Sequence, residues 1–412
     1  MITTINNKHK KLNFSSEREQ SQACLNSAEH EKNQGRKVLN VPNLRFKEFQ
    51  GEWEKTKFGD IAVVVGGGTP DTNTSQYWNG KIQWFTPSEI GRNKYVYNSV
   101  RTISEEGLNK SSAKLLPIGT ILLSSRATVG ECSINKKECT TNQGFQSLIP
   151  KENISNEFVY YLIQTKRKDL IRKSCGSTFL EISANEVRKI VVSIPTIKEQ
   201  DKIAKLLSLL DERIATQNKI IEDLKKLKSA ISKKLLCNDK WTTYKIQDIA
   251  EIGRGRVISS VEIDRQKNPL YPVYSSQTSN NGIMGYLDNY MFDGEYITWT
   301  TDGANAGTVF YRKGKFNCTN VCGTLKIQPK FDCYFVSLVL QQATQKYVSS
   351  NLANPKLMNN TMASIKIRMP NIETQKQLSK VFQTLDSCLL VHQRTCKMYL
   401  SEKQYLLCQM FI

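Results

Sequence analysis

Histidine is almost missing from this chain: His9, His30 and His392 are the only three in 412 residues. None stands beside a plausible nucleophile, so a hydrolase triad with an imidazole base is excluded. The phosphate-cradling pattern G-x4-G-K-[ST] is absent as well, which removes an ATP-driven motor. Gly66-Gly67-Gly68 follows a β-like run, but Thr69-Pro70 comes next and cannot open a dinucleotide-binding helix. A tight turn is the expected role of those glycines. Asn268-Pro269-Leu270-Tyr271 resembles the N-P-P-[YF] element of amino-methyltransferases, yet Leu270 replaces the second proline and no glycine-rich cofactor loop accompanies it. It too is expected to be a turn. Asp223-x-Lys225 lies on a heptad helix, where such pairs are solvated surface charges rather than a nuclease site.

Long apolar runs are lacking. No stretch approaches the ~18–20 residues needed to span a bilayer. The first forty residues are polar and contain no signal-peptide core, so the cytoplasm is the expected compartment and no membrane partner is expected. Eleven scattered cysteines, an odd count without a secretory context, point to reduced thiols. Cys318, Cys322 and Cys333 have no histidine near them and no obvious fourth ligand, so buried thiols are expected rather than zinc.

Acidic residues are scarce relative to basic ones, 38 against 58, for a net charge of +20. Such an excess favours a polyanion, because neutralised phosphates release counterions. The length suits two or three domains with their own cores, and a mean hydropathy of −0.44 fits a soluble protein.

What is present is a repeat. Trp53-Glu54-Lys55-Thr56-Lys57-Phe58-Gly59-Asp60-Ile61-Ala62 is answered by Trp241-Thr242-Thr243-Tyr244-Lys245-Ile246-Gln247-Asp248-Ile249-Ala250. Cys139-Thr140-Thr141-Asn142 is answered by Cys318-Thr319-Asn320-Val321, and Ile194-Pro195-Thr196-Ile197-Lys198-Glu199-Gln200 by Met369-Pro370-Asn371-Ile372-Glu373-Thr374-Gln375. A duplicated module on a basic chain suggests two related sites on one long ligand. The expected organisation is a disordered leader over 1–40, a module over 41–195, a helix over 196–236, a second module over 237–370 and a second helix over 371–412.

Within the modules, β-like runs at Ile61–Val65, Ile82–Phe85, Gly119–Ser124, Gln146–Ile149 and Lys189–Ile194 surround a helix around Glu157–Arg172. The second module has runs at Tyr296–Thr300, Thr308–Tyr311, Gly323–Gln328 and Ser364–Met369, with a helix around Tyr334–Tyr347. The fold class is therefore α+β: two strand-rich domains separated by a pair of long helices.

After Pro195 and Pro370 the apolar period changes from 2 to 3.5. Ile203, Leu210, Gln217 and Leu224 recur every seven residues with Leu207 in the adjoining row, and Leu378, Leu385, His392 and Tyr399 do the same in the second helix. These heptads mark a coiled-coil seam, with each helix about 60 Å long. The second module follows the first helix within a few residues, so the pair should run antiparallel and the final residues should return to Trp53. Gln217 and His392, both near mid-helix, are expected to face each other and set register, and Lys228 and Lys403 interrupt the seams at matching positions.

Two stretches in each module carry side chains suited to base edges and phosphates. In the first they are Ser124, Ser125, Arg126, Thr128, Thr141, Asn142 and Gln143; in the second, Trp299, Thr300, Thr301, Asn305, Thr319 and Asn320.

Two modules, each opening with Trp…Asp-Ile-Ala and closing with I-P-x-I-x-x-Q on a heptad helix (Met369 standing for the first Ile in the second), resemble the specificity subunit of type I restriction–modification systems. Val41-Pro42-Asn43-Leu44-Arg45-Phe46 before Gly51-Glu52-Trp53 is similar to that family's N-terminus. The resemblance covers residues 41–412. It implies that each module is a target-recognition domain reading one half of an asymmetric, bipartite site in double-stranded DNA. It further implies a subunit with no catalytic activity or cofactor of its own. Two methyltransferase subunits using S-adenosylmethionine would modify adenine, and restriction subunits using ATP and Mg would cleave. The leader departs from the family pattern. Alternatives are a coiled-coil adaptor with incidental charge, or a divergent methyltransferase or nuclease.

Overall fold

The computed structural model describes residues 39–176, 180–236, 239–349 and 354–412. The leader expected over 1–40 lies outside the described residues except for Leu39 and Asn40. The chain divides into two compact units, one holding the described residues up to Ala215 with Lys397–Ile412, the other Thr216–Cys396.

The first unit contains β1 (Glu54–Lys57), α1 (Phe58–Ile61), β2 (Ala62–Gly66), β3 (Trp78–Phe85), β4 (Tyr95–Val96), β5 (Arg101–Ile103), α2 (Glu105–Asn109) and β6 (Ile121–Leu123). It continues with β7 (Cys132–Asn135), β8 (Cys139–Thr141), β9 (Gln146–Pro150), α3 (Asn156–Thr165), α4 (Arg167–Arg172), α5 (Ala184–Lys189), β10 (Val191–Ile194) and the start of α6 (Ile197–Leu235). The sheet orders are β2-β9-β6-β7-β4, β5-β3-β8 and β1-β10. All three residues of β6 are buried at the centre of the largest sheet, which is why that run reads as continuously apolar. In α3, Phe158 through Ile163 are all buried, as in a helix enclosed on every side. The single helix expected over Glu157–Arg172 is two, because the chain turns at Lys166 (ψ 7°) and brings Leu170 into the core.

The second unit repeats this plan with β11 (Thr242–Lys245), α7 (Ile246–Ile249), β12 (Ala250–Arg254), α8 (Ser260–Asp264), β13 (Tyr271–Tyr274), β14 (Ile283–Leu287), β15 (Glu295–Thr300) and β16 (Val309–Lys313). Then come β17 (Asn317–Cys318), β18 (Cys322–Ile327), α9 (Cys333–Ala343), α10 (Asn359–Ser364), β19 (Lys366–Met369) and α11 (Ile372–Gln409). Sheets run β12-β18-β15-β16, β14-β13-β17 and β11-β19. The opening and closing strands pair antiparallel in both units, Glu54 against Ile194 and Thr242 against Met369. Even single bonds recur: Phe58 N donates to Ile190 O, and Ile246 N to Ile365 O, each at 3.1 Å.

The I-P-x-I-x-x-Q motif owes its glutamine to a joint. Buried Gln200 accepts from Ser155 N at 3.0 Å and donates to Pro195 O at 2.9 Å, tying the start of α3 to the start of α6. Gln375 does the same with Asp332 N at 3.0 Å and Pro370 O at 2.8 Å.

On the long helices Ile203, Leu207 and Leu210 are buried, and Gln217, Leu224, Leu378, Leu385, His392 and Tyr399 are half-buried. Most residues between them are exposed, as a heptad seam requires. In each unit, rising numbers on α6 meet falling numbers on α11. Arg213 Nη1 donates to Tyr399 Oη at 3.4 Å and Lys403 Nζ lies 2.7 Å from Asp211 in the first unit. In the second, Gln217 Oε1 and His392 Nδ1 are 2.7 Å apart and Lys228 pairs with Asp386. The helices are antiparallel. The chain's last aromatic, Phe411, stacks on Phe158 at 5.2 Å and meets Trp53 edge-on at 6.4 Å.

Candidate nucleic-acid interface

In the first unit, four loops meet. Gly67 runs so close to the loop after β8 that a Cβ would stand 2.0 Å from Asn142 O. Gly68 N donates to Thr141 O at 2.8 Å, and Thr69 and Gln143 bond through their side chains. The loop after β6 joins them through Ser125 N to Gly144 O at 2.8 Å, and its carbonyl accepts from Ile182 N at 3.0 Å. Gly66, Gly67 and Gly68 are thus not a tight turn: none has positive φ, Gly66 ends β2, and the missing side chains of Gly67 and Gly68 serve a close backbone approach.

The second unit builds the same cluster. A Cβ on Gly255 would stand 2.1 Å from Cys318 O. Thr301 N donates to Val321 O at 2.9 Å, and Thr301 O accepts from Leu357 N at 2.7 Å. Arg254 crosses the cluster, with Nη2 on Thr301 Oγ1 at 3.0 Å and Nε on Asn320 O.

Burial divides the sequence-derived candidates. Ser124, Ser125, Thr141, Trp299, Thr300, Thr301 and Thr319 have buried side chains and form the framework of the loops. That corrects their expected place on the reading surface. Ser124 Oγ donates to Arg126 O at 2.9 Å, holding a turn in which Ala127 takes φ +56°. Trp299 packs flat over Gly323 and its Nε1 donates to Leu357 O at 2.9 Å, so the indole is a core group. Arg126, Thr128, Gln143 and Asn320 are exposed, and Asn142 and Asn305 half-buried. These six are brought to the outer side of the loop clusters, with Asn305 Nδ2 spent on Ser276 O at 3.1 Å. Sequence reasoning missed Arg254 and Arg256, although Gly253-Arg254-Gly255-Arg256 stands where Gly66-Gly67-Gly68 stands in the first module. Aligning Gly255 with Gly67 would have found them.

Cys318, Cys322 and Cys333 are buried thiols, each pKa raised by burial, that of Cys333 to about 12. Arg312 lies buried with its guanidinium 3.5 Å over the Tyr274 ring, its pKa lowered to about 10 by desolvation. Asp223 and Lys225 are exposed on α6.

The family model of the type I restriction modification DNA specificity domain matches residues 50–226 and again 238–397. The chain belongs to this family. Both copies of the domain fall on the two halves of the repeat. Among relatives, the specificity subunit of the type I restriction enzyme MjaIX of Methanocaldococcus jannaschii is 40% identical over 180 residues, 43% of this chain and 42% of that protein. The MpnII specificity subunit of Mycoplasma pneumoniae is 42% identical over 146 residues, 35% of this chain and 43% of its own length. The matched segments thus span less than half the length of these two relatives. Among solved structures, the S subunit of a type I restriction-modification system from M. genitalium superposes with a TM-score of 0.65 at 17% identity, covering 90% of this chain and 99% of that one. A chain from a study of assembly and conformational transition in a type I R-M system superposes at 0.55 with 14% identity, covering 86% and 96%. At such identities the likeness is one of fold.

Proposed function

We propose that this chain is the DNA-reading subunit of a type I restriction–modification complex. Residues 41–195 and 237–370 each read one half of an asymmetric, bipartite site in double-stranded DNA. Its own role is recognition without catalysis. Two methyltransferase subunits using S-adenosylmethionine methylate adenine within the site, and restriction subunits using ATP and Mg cleave; the complex works in the cytoplasm. The observation that supports this reading most is the loop cluster built twice from equivalent backbone bonds, with different side chains outermost in each copy. A shared scaffold with unlike outer residues is what two unlike half-sites require. The net charge of +20 supplies the sequence-independent part of the binding. No described helix is long and apolar enough to cross a membrane.

The test is a map of modified adenines in cells carrying this chain and its neighbouring methyltransferase subunit, with deletion of the chain as control. A split, asymmetric motif that disappears with the chain is expected. Adenine modification indifferent to the chain, together with no salt-dependent binding to duplex DNA, would leave the adaptor reading in its place.

A further inference from the structure

One node of the repeated cluster carries opposite charges in the two modules. Ser125 and Thr301 are its equivalent backbone positions, each donating its amide to the loop after a short strand and accepting at its carbonyl from Ile182 or Leu357. Both side chains are fully buried, which anchors the backbone of the next residue in place. That residue is Arg126 in one module and Asp302 in the other. Each forms an antiparallel backbone bridge to the residue just before the amide donor, Arg126 to Glu181 and Asp302 to Lys356. The pair therefore reads Arg–Glu in the first module and Asp–Lys in the second.

These side chains reach solvent from a fixed backbone. Arg126 is 46% exposed and Glu181 40%, with Nε 2.8 Å from Oε1. That bond aligns the guanidinium fork while using one of its five donors, leaving others for a planar acceptor pair. Lys356 is exposed and Asp302 half-buried. An arginine alone would suit a phosphate equally well. A carboxylate at the equivalent node would be repelled by phosphate, so a base edge is the acceptor or donor that suits both modules.

We propose, resting on the function above, that this node is a specificity-determining position of each module. Arg126 donates to an acceptor edge of the kind guanine presents through O6 and N7. Asp302 accepts from an exocyclic amine such as cytosine N4. The two half-sites then differ in hydrogen-bonding sense at equivalent places, and the asymmetry of the full site begins here.

The adenine map decides it, run on three full-length chains with the methyltransferase subunit: unaltered, Asp302→Asn, and the double variant Arg126→Glu with Glu181→Arg. Asp302→Asn keeps the side-chain shape, and it is expected to relax one base of the second half-site by about tenfold while the first stays intact. The double variant keeps an ion pair across the node and is expected to change one base of the first half-site only. If the node merely locks loops together, the restored pair keeps the original motif, and that result overturns the proposal. Equal change in both half-sites overturns it too. Where a variant modifies no adenine in cells, selection of duplexes randomised across the site by the purified complex reads the preference directly; a retained original base there counts against the node. A motif that depends on the unaltered chain but ignores all these substitutions defeats this inference alone. A motif indifferent to the chain defeats the function as well.

Discussion

At the scale of single residues, the division between framework and proposed reading surface follows burial rather than residue type. Serine and threonine suit base edges chemically, but Ser125, Thr141 and Thr301 are wholly enclosed, and their backbones hold neighbouring loops together. Arg126, one residue further, is half-exposed. Arg126→Ala is expected to weaken recognition of the first half-site by ~1–3 kcal/mol and leave the second unchanged, as read by competition between duplexes altered in one half. Gln200 makes the opposite kind of contribution. Gln200→Ala strands the Ser155 amide and the Pro195 carbonyl in the interior, which should cost about 2–4 kcal/mol and lower the thermal midpoint measured by calorimetry. The motif containing Gln200 was plain in the sequence, twice over, but its purpose was not. A glutamine that heptad periodicity leaves unexplained becomes intelligible only when the amide 45 residues earlier is placed beside it.

At the scale of elements, the same polar group recurs in each unit where α6 meets α11. In the first unit Tyr161 Oη donates to Asp211 at 2.7 Å and Lys403 pairs with that carboxylate. In the second, Tyr334 Oη donates to Asp386 at 2.6 Å, and Lys228 completes the set. Burial, then the neighbouring carboxylate, raises the pKa of each phenol, so both stay neutral donors. The lysines that interrupt the heptads are therefore seam residues with a partner on the facing helix. Exposure sets what each cluster contributes. The Lys403–Asp211 side chains are 17% and 23% exposed, the Lys228–Asp386 ones 25% and 40%. Asp211→Asn should accordingly destabilise more than Asp386→Asn, by ~1–3 kcal/mol against roughly 1 kcal/mol, measured by urea denaturation. Equal costs would show that local packing, not the charge, carries the effect.

At the scale of the whole molecule, the proposed function makes helix length a property of the DNA site. Removing one matched heptad from α6 and α11 keeps the seam in phase while shortening each helix by about 10 Å, on the order of three base-pair steps. The unread gap of the methylation motif should shorten while both half-sites keep their bases. A gap of unchanged length would mean that something other than the helices sets the spacing.

The sequence by itself determined the duplication, the α+β modules and the antiparallel helix pair, because heptad periodicity and strand alternation are local signals that survive without knowledge of distant contacts. Only the tertiary structure decided which polar loop residues face outward. Trp299 is enclosed by a bond to Leu357, and Thr141 by its contact with Gly68. Those partners lie roughly sixty to seventy positions away in the chain, and burial of a loop side chain is fixed by such long-range contacts rather than by its own sequence neighbourhood.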